Sequence, residues 1–340
     1  MSPARLWLTI FATGFAAITA LLVIALLTPV PYGDLARTGL LSESDYGWRI
    51  AQPHVDAKWL RGVPPSEADV LVVGDSFSMS YFWQSVLARS GYRIATVYWV
   101  QIDETLCADF DSWVAGSGFH GRLVVIESVE RLLPERIENT RRCARMKEAF
   151  RSDVKPYLTY PEAVPGFALN WQSKISSGVL TWLHSRKARQ SAHPVWAYKS
   201  TLVRPVPEGC KRFSNAFCAK ALFDHDDERN RALVAADVDA IRAFDAAHPT
   251  RKFLWAVIPN KTTVYLEPEH SRGFVDAFAR SGLGPDLFAW SVPLKDKVRD
   301  FYFPNDTHLS MRGQLLLGER LLEAVRAVDA AKDEQQPKPH

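Results

Sequence analysis

Serine, histidine and aspartate can together carry out acyl transfer, and this chain presents all three in suggestive settings. In "DVLVVGDSFSMSYF", residues 69–82, an apolar run ends in Gly74-Asp75 and then Ser76. A serine hydroxyl is a poor nucleophile near neutral pH. It needs a base within hydrogen-bond reach, and that base needs an acid to fix its tautomer and stabilise its charged form. Near the other end, "DFYFPNDTHLSMRGQ" offers both groups, with Asp306 and His308 two residues apart in a Pro-Asn-Asp turn. Blander roles compete for each residue. Ser76 could cap the helix after a glycine turn, His308 could be a capping or core histidine, and Asp306 could cap the final helix, with Asn305 standing in as the acid. Asp75 is too close to Ser76 to reach the far nitrogen of the base and reads as the residue that fixes the turn. His120, His184, His193 and His225 lack ligand spacing, so neither a metal nor another cofactor is expected.

Short apolar elements must position these residues. Residues 69–73, 92–99, 122–127, 252–258 and 285–290 are apolar runs rich in branched and aromatic side chains, as central parallel strands tend to be. Helical patterns at 80–90, 227–247 and 311–331 alternate with them. Alternation of this kind predicts an α/β fold, a parallel sheet with helices on both faces. Such sheets place ligands beyond the carboxyl ends of their strands, where Ser76 falls. The stretch "FLWAVIPNKTTVY" ends another strand in Pro259-Asn260-Lys261 and is expected on the same edge. Residues 150–225 break the pattern as an insertion too long for an ordinary loop. Residues 331–340 read as a charged, disordered tail.

Composition narrows the setting. The 340 residues carry a net charge of +3 spread along the chain, which argues against the concentrated basic face that nucleic acid requires. From Leu6 to Thr28 no charge occurs, and the run matches the ~20 residues that span a hydrocarbon core. It lacks the small-x-small site of a cleaved signal peptide. Residues 1–30 therefore read as an uncleaved anchor, with Arg5 on the cytoplasmic side, and residues 31–65 as an approach segment leading to a domain at 66–330 outside the inner membrane. Cys107, Cys143, Cys210 and Cys218 suit an oxidising periplasm, and nearness in the chain favours pairing Cys107 with Cys143 and Cys210 with Cys218.

"GDSFS" and "NDTHLSMRG" resemble the first and last motif blocks of the SGNH hydrolase superfamily, serine esterases and acyltransferases on a three-layer flavodoxin-like sheet. "RLVVIESVERLLP" and "VIPNKTTVY" look like segments of its alginate O-acetyltransferase-like branch, which acetylates exopolysaccharides, often beside a multispanning membrane-bound O-acyltransferase. The resemblance covers roughly residues 66–325. It implies Ser76 as nucleophile, His308 as base and Asp306 as acid, a polysaccharide acceptor and a membrane-bound acyl source. Three departures stand out. Ser76 precedes the Asp-x-His pair, whereas the alginate enzymes reverse that order. Position 305, where an Asp-x-x-His block would carry its acid, is Asn. The usual oxyanion glycine and asparagine are missing from "VQIDETLC" and "SVERLLP". Arg131 and Ser128 then become candidates to assist the Ser76 N–H, and Lys261 and Tyr265 candidates to line an acceptor groove. Trp48, Trp83, Trp99 and Trp113 could stack on sugar rings or fill the core. The expected activity is acetyl transfer to an exopolysaccharide. A deacetylase with the same residues and a catalytically silent carbohydrate-binding subunit are its rivals.

Overall fold

Runs of Val, Ile and Leu too short for helices become strands here, and the longer patterned stretches become helices. The structure, a computed structural model, describes residues 1–333. It begins with α1 (Pro3–Leu27), α2 (Asp34–Gly39) and α3 (Glu43–Tyr46), then β1 (Val70–Gly74), α4 (Phe82–Arg89), β2 (Ile94–Tyr98), α5 (Phe110–Gly116), β3 (Leu123–Val129) and α6 (Leu133–Arg142). There follow α7 (Ile175–Gln190), β4 (Val195–Tyr198), β5 (Thr201–Pro205), α8 (Gly209–Arg212), β6 (Lys220–Asp224), α9 (Asp226–Arg229) and α10 (Ala235–Ala247). The chain finishes with β7 (Lys252–Ile258), α11 (Lys261–Tyr265), α12 (Arg272–Ala279), α13 (Leu287–Lys297) and α14 (Met311–Asp333). It divides into two compact units, one of residues 1–50, 163–225 and 303–307, the other of residues 51–162, 226–302 and the described residues from 308 to 333.

The second unit holds a parallel four-stranded sheet in the order β2-β1-β3-β7. Val70, Leu71, Val72 and Val73 of β1 are each at most 1% exposed, and burial of such side chains contributes about 1.5–3 kcal/mol apiece. Leu71, Val73, Val124, Ile126, Trp255 and Val257 face a core with Phe110, Leu133, Ile241 and Phe274 from the flanking helices. The alternate residues Val70, Val72, Val125 and Ala256 are buried as well, so both faces of the sheet are covered. Helices α4 and α14 pack on one another, and α14 also reaches β7. A disulfide joins Cys107 to Cys143.

Two sequence expectations are corrected. Residues 285–290 form no strand: Asp286 accepts from the N–H groups of Phe288 and Ala289 and caps α13, so the apolar run begins a helix. The expected helix at 227–247 is split into α9 and α10. The last helix continues to Asp333, and the rest of the tail lies outside the described residues.

In the first unit, the presumed approach segment contributes α2 and α3. Helix α2 packs against β4, β5 and β6, an antiparallel sheet that lies inside the expected insertion. Leu35, Ala36, Leu41, Tyr46, Ala188, Val195, Val203 and Leu222 form its core, and Cys210 is bridged to Cys218. Both disulfides join the pairs favoured by nearness in the chain. Helix α1 is long and apolar enough to cross a membrane, and only Ala25 on it is buried.

Glu43 is one of the buried acids of this unit. Its Oε1 accepts from the N–H groups of Tyr32 and Gly33 at 2.9 and 2.8 Å, and its Oε2 from Asn305 at 2.6 Å. Burial outweighs those donors and pushes its pKa from 4.5 up to about 8. The folded protein therefore keeps a proton that the unfolded chain releases near 4.5. Its contribution to stability is complete below that pH, falls by up to about 1.4 kcal/mol per unit above it, and is gone past 8. Glu43→Gln is expected to flatten this part of the pH–stability curve, read as the thermal midpoint of the full chain in detergent against pH. Equal slopes for variant and parent would contradict it.

Candidate active site

Strand β1 ends at Gly74, and the next residues turn sharply. A Cβ at Gly74 would lie 2.2 Å from Ser78 Oγ, so only glycine lets the turn close here. Asp75 fixes the turn, as its position suggested. Its Oδ1 accepts from the Phe77 N–H at 3.0 Å, and its Oδ2 from the Val129 N–H at 2.7 Å and from Arg136 Nη1 at 3.1 Å. Glu127 braces it from β3: Glu127 Oε2 accepts from the Asp75 N–H at 2.9 Å and from Ser78 Oγ at 2.7 Å. The two buried carboxyls are pushed in opposite directions. Burial, reinforced by the Asp75 charge, raises Glu127 well above its ordinary range. Burial acts on Asp75 too, but the Arg136 charge and the hydrogen bonds it accepts hold it below its ordinary value. Of the two, Glu127 is the carboxyl whose surroundings favour the protonated form.

The braced turn presents Ser76 half-buried at the end of β1. In the order β2-β1-β3-β7 the chain leaves β1 for one neighbour and returns to the other. The crevice between β1 and β3 is thus the topological switch point, where open parallel sheets bind ligands. Ser76 Oγ lies 2.7 Å from Nε2 of His308, although 232 residues separate them. His308 is 6% exposed. The Phe77 ring lies 4.9 Å from the imidazole and the Tyr160 ring 6.3 Å away. An isolated bridge between Tyr302 and Leu309, with the Ser310 N–H bonded to Phe301 O at 3.0 Å, pinches the loop that delivers the histidine. Tyr302 Oη in turn donates to Pro259 O at 2.6 Å. Among the described residues the Ser76 N–H meets no acceptor.

Residues 303–307, with Asp306, belong to the first unit. There Asp306 Oδ2 accepts from the Asp34 N–H at 2.9 Å, while Asp34 accepts from the N–H and Oγ1 of Thr307 at 2.9 and 2.6 Å. Asn305, the alternative acid position, is bound to Glu43.

The remaining candidates sit in other networks. Ser128 Oγ is fully buried, accepting from Arg136 Nη1 at 2.7 Å and donating to Val129 O at 3.2 Å. Arg131 pairs with buried Asp227 at 3.2 Å. Glu130 accepts from the Asn260 N–H at 2.8 Å, from Thr263 Oγ1 at 2.6 Å and from Ser271 Oγ. Lys261 and Tyr265 are buried, and Tyr265 Oη accepts from the Tyr302 N–H at 3.3 Å. Trp48, Trp83 and Trp99 are buried, and Trp113 packs half-buried against the core cluster that includes Trp99. Glu127, Arg136 and Phe77 escaped the reading of the sequence. An acid within an otherwise largely apolar buried strand was the available signal for Glu127; nothing local marked Arg136.

No protein-family model, curated protein or solved structure matches this chain.

Proposed function

We propose that this protein is a membrane-anchored SGNH-type O-acyltransferase that faces the periplasm and moves acetyl groups onto an exopolysaccharide. The observation that carries the reading is the 2.7 Å approach of Ser76 Oγ to His308 Nε2 at the switch point of a parallel sheet. The strand order β2-β1-β3-β7 agrees with the first four positions of a flavodoxin-like sheet.

In this reading Ser76 Oγ attacks the donor's acyl carbon as His308 Nε2 takes its proton. The unengaged Ser76 N–H stabilises the oxyanion. The donor's leaving group departs with the proton from His308, leaving an acetyl ester on Ser76. A sugar hydroxyl then gives its proton to His308 and attacks that ester, and His308 returns the proton to Ser76 Oγ. Asp306, two residues upstream of His308, is the acid assigned to hold the imidazole. The acyl group would come through a multispanning membrane-bound O-acyltransferase, the partner that the family resemblance implies.

The test uses the full chain in detergent with p-nitrophenyl acetate, with and without an oligosaccharide, and mass analysis of the sugar. Acetylated sugar is the expected product. Free acetate alone would identify an esterase, and no turnover would point to a silent carbohydrate-binding subunit.

A further inference from the structure

Helix α7 is built inside out for a helix on a water-soluble surface. Its buried residues are the small or polar Gly178, Thr181, Ser185 and Ala188, while Leu180, Trp182 and Leu183 are exposed. The loop before it adds Phe167 and Trp171, each 80% exposed. Water does not favour such a face, and an apolar patch of this kind marks a contact surface.

The neighbour of this patch indicates what covers it. Helix α7 packs on α1. Gly178 comes so close that a Cβ there would lie 2.8 Å from Ala25 Cα, the close approach that small residues permit between membrane helices. The Asn170 N–H donates to Leu26 O at 2.9 Å, tying the Phe167–Trp171 loop to the last turn of the same apolar helix. Tryptophans at the end of a span, followed by exposed Arg186 and Lys187, have the composition of a membrane interface. The Arg186 guanidinium lies 5.4 Å from the Trp182 ring.

We propose that residues 167–183 form a second membrane contact, with Phe167, Trp171, Leu180, Trp182 and Leu183 seated in the lipid interface where α1 leaves the bilayer. The occupant of the patch is lipid, and the proposal rests on α1 being a spanning helix. It requires no catalytic activity.

All four cysteines are bridged, so an introduced cysteine can be labelled selectively. Spin labels at Trp171→Cys and Leu183→Cys would be compared with Leu22→Cys on α1 and Arg280→Cys in the other unit. The full chain is placed in phosphatidylethanolamine–phosphatidylglycerol vesicles, and relaxation by oxygen is set against relaxation by a water-soluble nickel chelate. The expected result is an oxygen-to-nickel ratio at 171 and 183 several-fold above that at 280 and below that at 22. Water-like ratios at 171 and 183 with a lipid-like value at 22 would overturn the proposal and leave the span intact. A water-like value at 22 as well would overturn both. Labels at 171 and 183 shielded from both relaxants would mean that protein, either a second copy or another partner, covers the patch, which also refutes the lipid assignment.

Discussion

Ser76→Ala is expected to lower acetyl transfer by the full chain by about 10⁴-fold or more, and His308→Ala to do the same. The two hydrogen-bonded groups act as one unit, so the double variant should be scarcely worse than either single one. Asp306→Ala should cost less, about 10²–10⁴-fold, because it removes the group assigned to orient the base and leaves nucleophile and base in place. Asn305→Ala separates the two candidate acids: its effect should fall on the Glu43 network and hence on stability rather than on turnover. Rates of p-nitrophenol release and of sugar acetylation check each case. Unchanged turnover in Ser76→Ala would remove the nucleophile assignment.

The second large effect concerns the brace beneath the turn. Arg136 is 2% exposed and donates to Asp75 and Ser128 while pairing with Glu104 at 2.6 Å, its guanidinium 4.6 Å from the Trp99 ring. Arg136→Met keeps much of the volume but strands the Asp75 carboxylate beside Glu127 with no cation. Breaking a buried pair in this way costs about 3–5 kcal/mol. The loss should appear as a lower thermal midpoint in detergent, accompanied by reduced turnover as the Ser76 turn loosens. Arg136→Lys should recover only part of it, since an ammonium cannot reproduce a fork that engages Asp75, Ser128 and Glu104 together. A midpoint within a degree of the parent in Arg136→Met would show that the pair contributes little.

Legibility in the sequence followed the range of the interaction. The strands at 70–74, 94–98, 123–129 and 252–258 could be read because each is a local run of buried apolar residues. Residues 285–290 looked the same by composition, and what distinguishes them is one capping aspartate. The antiparallel sheet within 150–225 was missed because β4 alternates buried and exposed residues over only four positions, and Pro and Lys nearby suggest loop. At the site, the types of Ser76, Asp306 and His308 and their motifs were visible, but no local pattern encodes a contact across 232 residues. The brace was hidden for the same reason, since Glu127 and Arg136 lie 52 and 61 residues from Asp75.

The seating of Gly178 on Ala25 also bears on how the chain matures. Synthesis runs from the amino terminus, so α1 is made long before α7. An α1 already held in the bilayer would serve as a template on which α7 closes late. A secreted form shorn of its first helix would then emerge with its docking face bare. It should be prone to clump even with every residue of the serine turn intact, so the first helix would be part of the folding programme as well as an anchor.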